Sequence, residues 1–157
     1  MPQRNKQILA LVLFFVVSFA AAAIGSSFTA PAIESWYSTI AKPAWNPPNA
    51  IFAPVWTVLF CMMAVAGWLA WRRSASKLPV VFFAVQLALN SFWSFCFFGL
   101  RNPAAGLAEI VFLWCAIVAN TVVFFRASRA AGFLFLPYLG WVTFAAALNF
   151  EIWRLNS

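Results

Sequence analysis

Five apolar runs, each close to the length of a membrane-crossing helix, fill most of this sequence. They occupy about residues 8–28, 51–71, 78–98, 104–125 and 132–153. At about 1.5 Å per residue, a helix of roughly 20 residues crosses the ~30 Å of hydrocarbon in a bilayer. Inside that layer every backbone N–H and C=O must be satisfied by the chain itself, which leaves only helices and closed barrels. The runs lack the period-two alternation of barrel strands. The expected fold is therefore an all-α membrane protein, a five-transmembrane-helix bundle forming one domain over residues 1–157. Composition agrees. Only 8% of the residues are charged and 65% are hydrophobic, where a soluble domain carries about 25% charged residues.

The first run has a rival reading, because MPQRNK followed by an apolar, Ala-rich stretch resembles a secretory signal. Its apolar part exceeds the roughly 7–15 residues of such signals, so it is read as a transmembrane helix. Boundaries have local causes. Asn102-Pro103 reads as an N-cap followed by a proline at the first helical position, and Pro79 can open the third helix in the same way. Pro54 and Pro137 fall inside their helices, where each should kink the helix or free a carbonyl. Residues 29–50 are expected to form the one long loop, rich in proline and tryptophan.

The net charge of +7 comes from ten bases and three acids. These bases sit at segment ends and form no stripe interleaved with polar side chains, so nucleic-acid binding is excluded. Arg4, Lys6, Arg72, Arg73, Lys77, Arg126 and Arg129 fall on one side of the expected bundle. Lys42, Arg101 and Arg154 fall on the other. By the positive-inside rule the amino terminus lies in the cytoplasm of a bacterial cell membrane, with the long loop facing outward. Cys61, Cys96 and Cys115 all lie in apolar runs and the chain has no His. A zinc site needs about four such ligands, so no metal site is expected and the cysteines read as small core hydrophobes.

Nine tryptophans are more than core filling requires. Trp68, Trp71 and Trp153, next to arginines at helix ends, read as the interfacial aromatic belt. Trp56, Trp93, Trp114 and Trp141 lie deeper, Trp141 roughly 18 Å from the loop side, and a buried indole N–H wants a partner or a cavity. Gln86, Asn90, Trp93 and Phe97 share one face of the third helix by their 4, 3, 4 spacing. Tyr138, Trp141, Ala145, Leu148 and Asn149 share a face of the fifth. Two accounts stay open. Either the amides simply join helices through hydrogen bonds, or they line an aromatic-walled pocket in the loop-side half of the bundle. In the second case the loop, with Trp36, Tyr37 and Trp45 and its stiffening prolines, would act as a lid. In the first it is an interfacial anchor.

Three strings, WYSTIAKPAWNPPNAIFAPVWT, ALNSFWS and PYLGWVTFAAALNFEIW, resemble the tryptophan-rich sensory protein/translocator protein family (TspO/MBR, the peripheral benzodiazepine receptor family). The resemblance implies a five-helix membrane protein, commonly a homodimer. It implies binding of porphyrins, notably protoporphyrin, and of aromatic drug-like ligands, in a sensory role in tetrapyrrole or stress responses. The implied ligand-binding residues are Tyr37, Trp45, Trp56, Asn90, Trp93, Trp141, Ala145 and Leu148. Trp56 and Trp141 match positions that the family associates with light-dependent porphyrin breakdown. The family's sterol motif is incomplete here: Leu148, Phe150 and Arg154 keep its spacing, but Phe replaces Tyr, so sterol binding is not expected.

Conventional acid–base catalysis lacks its parts, since there is no His and no carboxylate pair. Any enzymatic role would be photo-oxidative, with porphyrin as bound ligand rather than a required cofactor and Trp56 or Trp141 as the reacting side chains. Lys42 is the candidate contact for a propionate. Transport of porphyrin is the third reading; Glu109, expected near the interface, is its one candidate coupling group. Two small-residue pairs, Ala21 with Gly25 and Ala84 with Ala88, mark faces where helices can approach closely, either within the bundle or between two copies.

Overall fold

A computed structural model describes residues 3–157. Five long helices account for almost all of them: α1 (Gln3–Ser35), α2 (Asn49–Arg73), α3 (Leu78–Ser94), α4 (Pro103–Ala127) and α5 (Arg129–Leu155). A π-helical turn, Phe95–Gly99, extends α3, and a 3-10 turn, Tyr37–Thr39, follows α1. All five helices are long and apolar enough to cross a membrane, and there is no strand among the described residues.

Local chemistry sets the helix ends. Asn102 is the N-cap of α4, its Oδ1 accepting from the N–H groups of Ala104 and Ala105 at 3.0 and 3.1 Å. Pro103 takes the first helical position, where a missing N–H costs nothing. Ser128 caps α5 through Ala131 N. Pro54 and Pro137 stay inside α2 and α5.

One boundary differs from the expectation. α1 does not stop at residue 28 but runs on to Ser35 with Pro31 inside it, so the loop is shorter, residues 36–48. Along this extra stretch Thr29 and Ser35 bond back to the carbonyls of Gly25 and Pro31. Polar side chains there satisfy backbone acceptors of their own helix, and the drop in hydropathy precedes the end of the helix.

The helices form a closed ring in the order α1, α2, α5, α4, α3, each packed on its two neighbours. The end carrying Arg72, Arg73, Arg126 and Arg129 is here called the Arg-rich end, and the opposite one the loop end. Near the Arg-rich end Met63, Ala64, Ala66 and Ala70 of α2 are fully buried. Phe83, Phe124 and Phe135 pack against one another there, with ring centroids 6.3 and 4.9 Å apart. The pair Ala21 and Gly25 packs inside the monomer. Ser91 Oγ donates to Ala21 O at 2.9 Å, and a Cβ on Gly25 would stand 3.1 Å from Ser94 Oγ. Ala84 and Ala88 remain exposed on the outside of α3.

Candidate ligand cavity

A cavity of about 570 Å³ occupies the loop-end half of the ring. Four helices and the loop wall it, and α4 contributes nothing. α1 supplies Gly25, Ser26, Thr29 and Ile33, a face set by 3–4 spacing. α2 brings Phe52, Trp56 and Phe60 on successive turns. α3 and its π turn bring Asn90, Trp93, Ser94 and Phe97, and α5 brings Trp141, Ala145, Leu148, Asn149 and Ile152. Tyr37 contributes from the loop. No lining residue is charged. A size between about 300 and 1,000 Å³, apolar walls and few polar groups are the usual attributes of a small-molecule site.

Of the eight residues expected to line a pocket, seven do so: Tyr37, Trp56, Asn90, Trp93, Trp141, Ala145 and Leu148. Trp45 does not. It is 48% exposed and its ring rests edge-on against Phe144, 5.7 Å between centroids. Lys42 also lies outside the wall. Its ammonium donates to Tyr37 O at 2.6 Å and Ile40 O at 2.8 Å and sits 4.9 Å over the Tyr37 ring. Phe97, expected on the same face of α3 as Asn90 and Trp93, is in the wall, whereas sequence reasoning missed Phe52, Ser94, Ile152 and the whole α1 face. The 3–4 spacing of small and polar residues on α1 was the available signal.

The interior amides do both things that their positions allow. Asn90 Nδ2 donates to Tyr138 OH at 2.9 Å, and that hydroxyl donates to Gln86 Oε1 at 2.8 Å. Trp93 Nε1 donates to Asn149 Oδ1 at 3.1 Å, and Asn149 Nδ2 donates to Pro103 O at 2.8 Å. These bonds tie α3 to α5 and α5 to α4. Asn90 also lines the cavity, and its Oδ1 accepts no hydrogen bond among the described residues. Among the described residues Trp56 and Trp141 make no indole hydrogen bond, whereas Trp93 and Trp114 do, Trp114 to Thr143 Oγ1 at 2.8 Å. The free polar groups of the cavity therefore include two indole donors and one amide acceptor.

The roof is fastened at several points. Tyr37 OH donates to Asn46 Oδ1 at 2.8 Å; burial, partly offset by that bond, pushes the Tyr37 hydroxyl from its usual 10 up to about 12. Asn156, just past the end of α5, accepts from Ala41 N at 3.0 Å and donates to Ala41 O at 2.9 Å and to Ile152 O at 2.7 Å. One side-chain amide thus clasps both backbone groups of a loop residue.

One expectation outside the cavity is corrected. Trp68 is not a simple belt residue: it is half-buried, its indole donates to Gln7 O at 3.0 Å, and Arg72 lies 4.5 Å over its ring. It pins α2 to the start of α1. Trp71 and Trp153 are exposed near helix ends, as a belt requires. Glu109, about one and a half turns past Pro103, is 5% exposed and buried between helices, as are Gly106, Ile110 and Leu113 of α4.

The family model for TspO/MBR matches residues 12–154. This chain belongs to the TspO/MBR family. It is 47% identical to the tryptophan-rich protein TspO of Chlorobaculum tepidum, over 97% of this chain and 99% of that protein. With the tryptophan-rich sensory protein of Cereibacter sphaeroides it shares 38% identity, over 94% of this chain and 92% of the other. With the human translocator protein it shares 33%, over 85% and 82%. Membership and five apolar helices together make it an integral, multi-pass membrane protein.

Proposed function

We propose that this protein binds porphyrin, and aromatic ligands of similar breadth, in the loop-end cavity, and acts as a sensor of tetrapyrrole supply. The observation that carries the reading is an uncharged cavity walled by Trp56, Trp93 and Trp141. A macrocycle presents a wide π-face, which stacks on such rings, and an aromatic platform contributes about 1–3 kcal/mol per stacked base in nucleic-acid sites, the nearest measured analogue. Its propionates find no cation in the wall, so they belong at the mouth. Lys42, whose ammonium stands over the ring of the wall residue Tyr37, is the candidate partner, with one of its three ammonium hydrogens left beyond the two already donated. With no His in the chain, metal-free porphyrin suits the site better than haem. The reading is tested by titrating protoporphyrin into the protein in lipid nanodiscs and following tryptophan quenching. Saturable quenching that Trp141→Ala weakens supports it; unsaturable partition into lipid alone overturns it.

A second reading follows from the unpaired indoles of Trp56 and Trp141. Light absorbed by a bound porphyrin would activate oxygen beside electron-rich rings that have no hydrogen-bond partner, and so support breakdown of the ligand. Spectra taken dark, illuminated, and illuminated without oxygen separate breakdown from plain binding. Loss of porphyrin absorbance only with light and oxygen supports it.

The homodimer is also a proposal. The exposed pair Ala84 and Ala88 lets two α3 helices approach closely where lipid provides no hydrophobic drive. Ala88→Leu is expected to convert dimer to monomer, read as mass by light scattering in detergent. From the charge distribution we also infer that the Arg-rich end faces the cytoplasm.

A further inference from the structure

Glu109 is the one buried carboxyl among the described residues, and none of the contacts above uses it. Both of its carboxyl oxygens are buried and have no hydrogen-bond partner among the described residues. Of the other interior polar groups, Asn90, Tyr138 and Gln86 are committed to one another and Asn149 to Trp93 and Pro103, while the uncharged Ser18 and Asn120 are also without a partner. An intramembrane carboxyl without a donor is costly and marks a functional position by default.

The same residue lines a second, smaller space. A crevice of about 330 Å³ lies between α3 and α4, on the outside of the ring and separate from the cavity. Phe92 and Cys96 form one side; Ala105, Ala108 and Phe112 form the other, with Glu109 at the back. Phe92 is 50% and Phe112 68% exposed, so in a bilayer the crevice meets lipid. Glu109 lies six residues past Pro103, about 9 Å along α4 from its loop end, shallower than the bilayer centre. The neighbouring exposed side chains Val85, Val111 and Phe112 carry no donor. A second copy of this face, or an acyl chain, would leave the carboxyl as it is.

We propose that the α3/α4 crevice is a lipid-side binding site for an amphiphile whose apolar body lies between Phe92 and Phe112 and whose hydroxyl or ammonium head donates to the Glu109 carboxyl. The site is independent of the cavity, and its occupant arrives through the membrane.

A lipophilic carbodiimide tests access, because it reaches carboxyls only through apolar surroundings. A carboxyl oxygen bonds to the central carbon of dicyclohexylcarbodiimide, and the carboxyl proton passes to one of its nitrogens. The acyl group then migrates to nitrogen, and no group leaves. With the protein in bilayers, peptide mass mapping is expected to find this adduct on Glu109 and none at that position in Glu109→Gln. Ala108→Leu, a change at an exposed helix position that keeps the carboxyl, is expected to lose the adduct by filling the crevice. Decylamine and decanol are then added as protecting probes, with decane as control. Protection by the amine alone identifies an ammonium head, and protection by both a hydroxyl-tolerant site. Either result supports the proposal. An unlabelled Glu109 in the folded wild type, undiminished labelling of Ala108→Leu, or equal protection by decane overturns it.

Discussion

Both halves of this bundle are rich in large aromatic rings, yet they reach opposite results. At the Arg-rich end, α2 presents Ala64, Ala66, Gly67 and Ala70, all buried, and the phenylalanines of the other helices close over them. Phe14 and Phe83 meet with centroids 5.2 Å apart beside Gly67, and a Cβ on Gly67 would stand 2.8 Å from Phe14. At the loop end, α2 presents Phe52, Trp56 and Phe60, and large rings also come from α3 and α5. Large against small interdigitates; large against large holds helices apart and leaves a void. The cavity is thus a consequence of where the small residues of α2 stop, rather than of an unusually polar interior.

The comparison breaks most visibly if side-chain volume is moved between the halves. Gly67→Leu is expected to destabilise the bundle by about 3 kcal/mol, the upper end for overpacking, seen as a lower midpoint of thermal unfolding in detergent. Ala145→Leu in the cavity wall is expected to leave that midpoint nearly unchanged while abolishing porphyrin binding. A similar drop from both would show the cavity to be less empty than its walls suggest. Next in size is Trp141→Ala, expected to weaken porphyrin by about 2 kcal/mol, while Trp71→Ala at the opposite end leaves affinity alone. Trp71 is the better control than Trp68, whose indole bond to Gln7 makes it structural.

Loosening the roof comes third. Pro47-Pro48→Gly-Gly is expected to cost the closed loop about 1–2 kcal/mol in total, taking 0.4–1 per position. Ligand then leaves faster and Trp45 becomes more open to a soluble quencher. The smallest effects come from two amides. Asn120, toward the Arg-rich end, is fully buried with neither amide atom bonded, so Asn120→Leu is expected to stabilise by about 1 kcal/mol. Asn90→Leu, at the loop end, removes a bond between helices and is expected to destabilise by a similar amount. Opposite signs in unfolding midpoints check the pair.

The spans were legible because hydrocarbon thickness is a hard constraint on apolar length. The Asn102 cap was legible because its chemistry is local. Residues under no such constraint were not. Hydropathy placed the end of α1 too early because Ser27 and Thr29 read as polar although their hydroxyls turn back onto the helix. Trp45 looked like a pocket residue because sequence gives the presence of a ring in a loop but not its direction, and here it packs on the outside against Phe144. For Glu109, depth along α4 could be counted, whereas rotation had to be read from Gly106, Ile110, Leu113 and Ile117 on the same face. The amides admitted two readings because one Asn side chain has enough donors and acceptors for both.

The clasp between Asn156 and Ala41 joins residues 115 positions apart. During synthesis α1 and α2 have long since left the ribosome when Asn156 is added. The loop therefore waits for this clasp through the insertion of three further helices, held meanwhile by its own bonds and, once α3 is in place, by Trp36 and Tyr37 against Phe97 and Phe98. Until that residue emerges one catch of the chamber stays undone, and Asn156→Ala would assemble the helices yet leave the door on a looser latch.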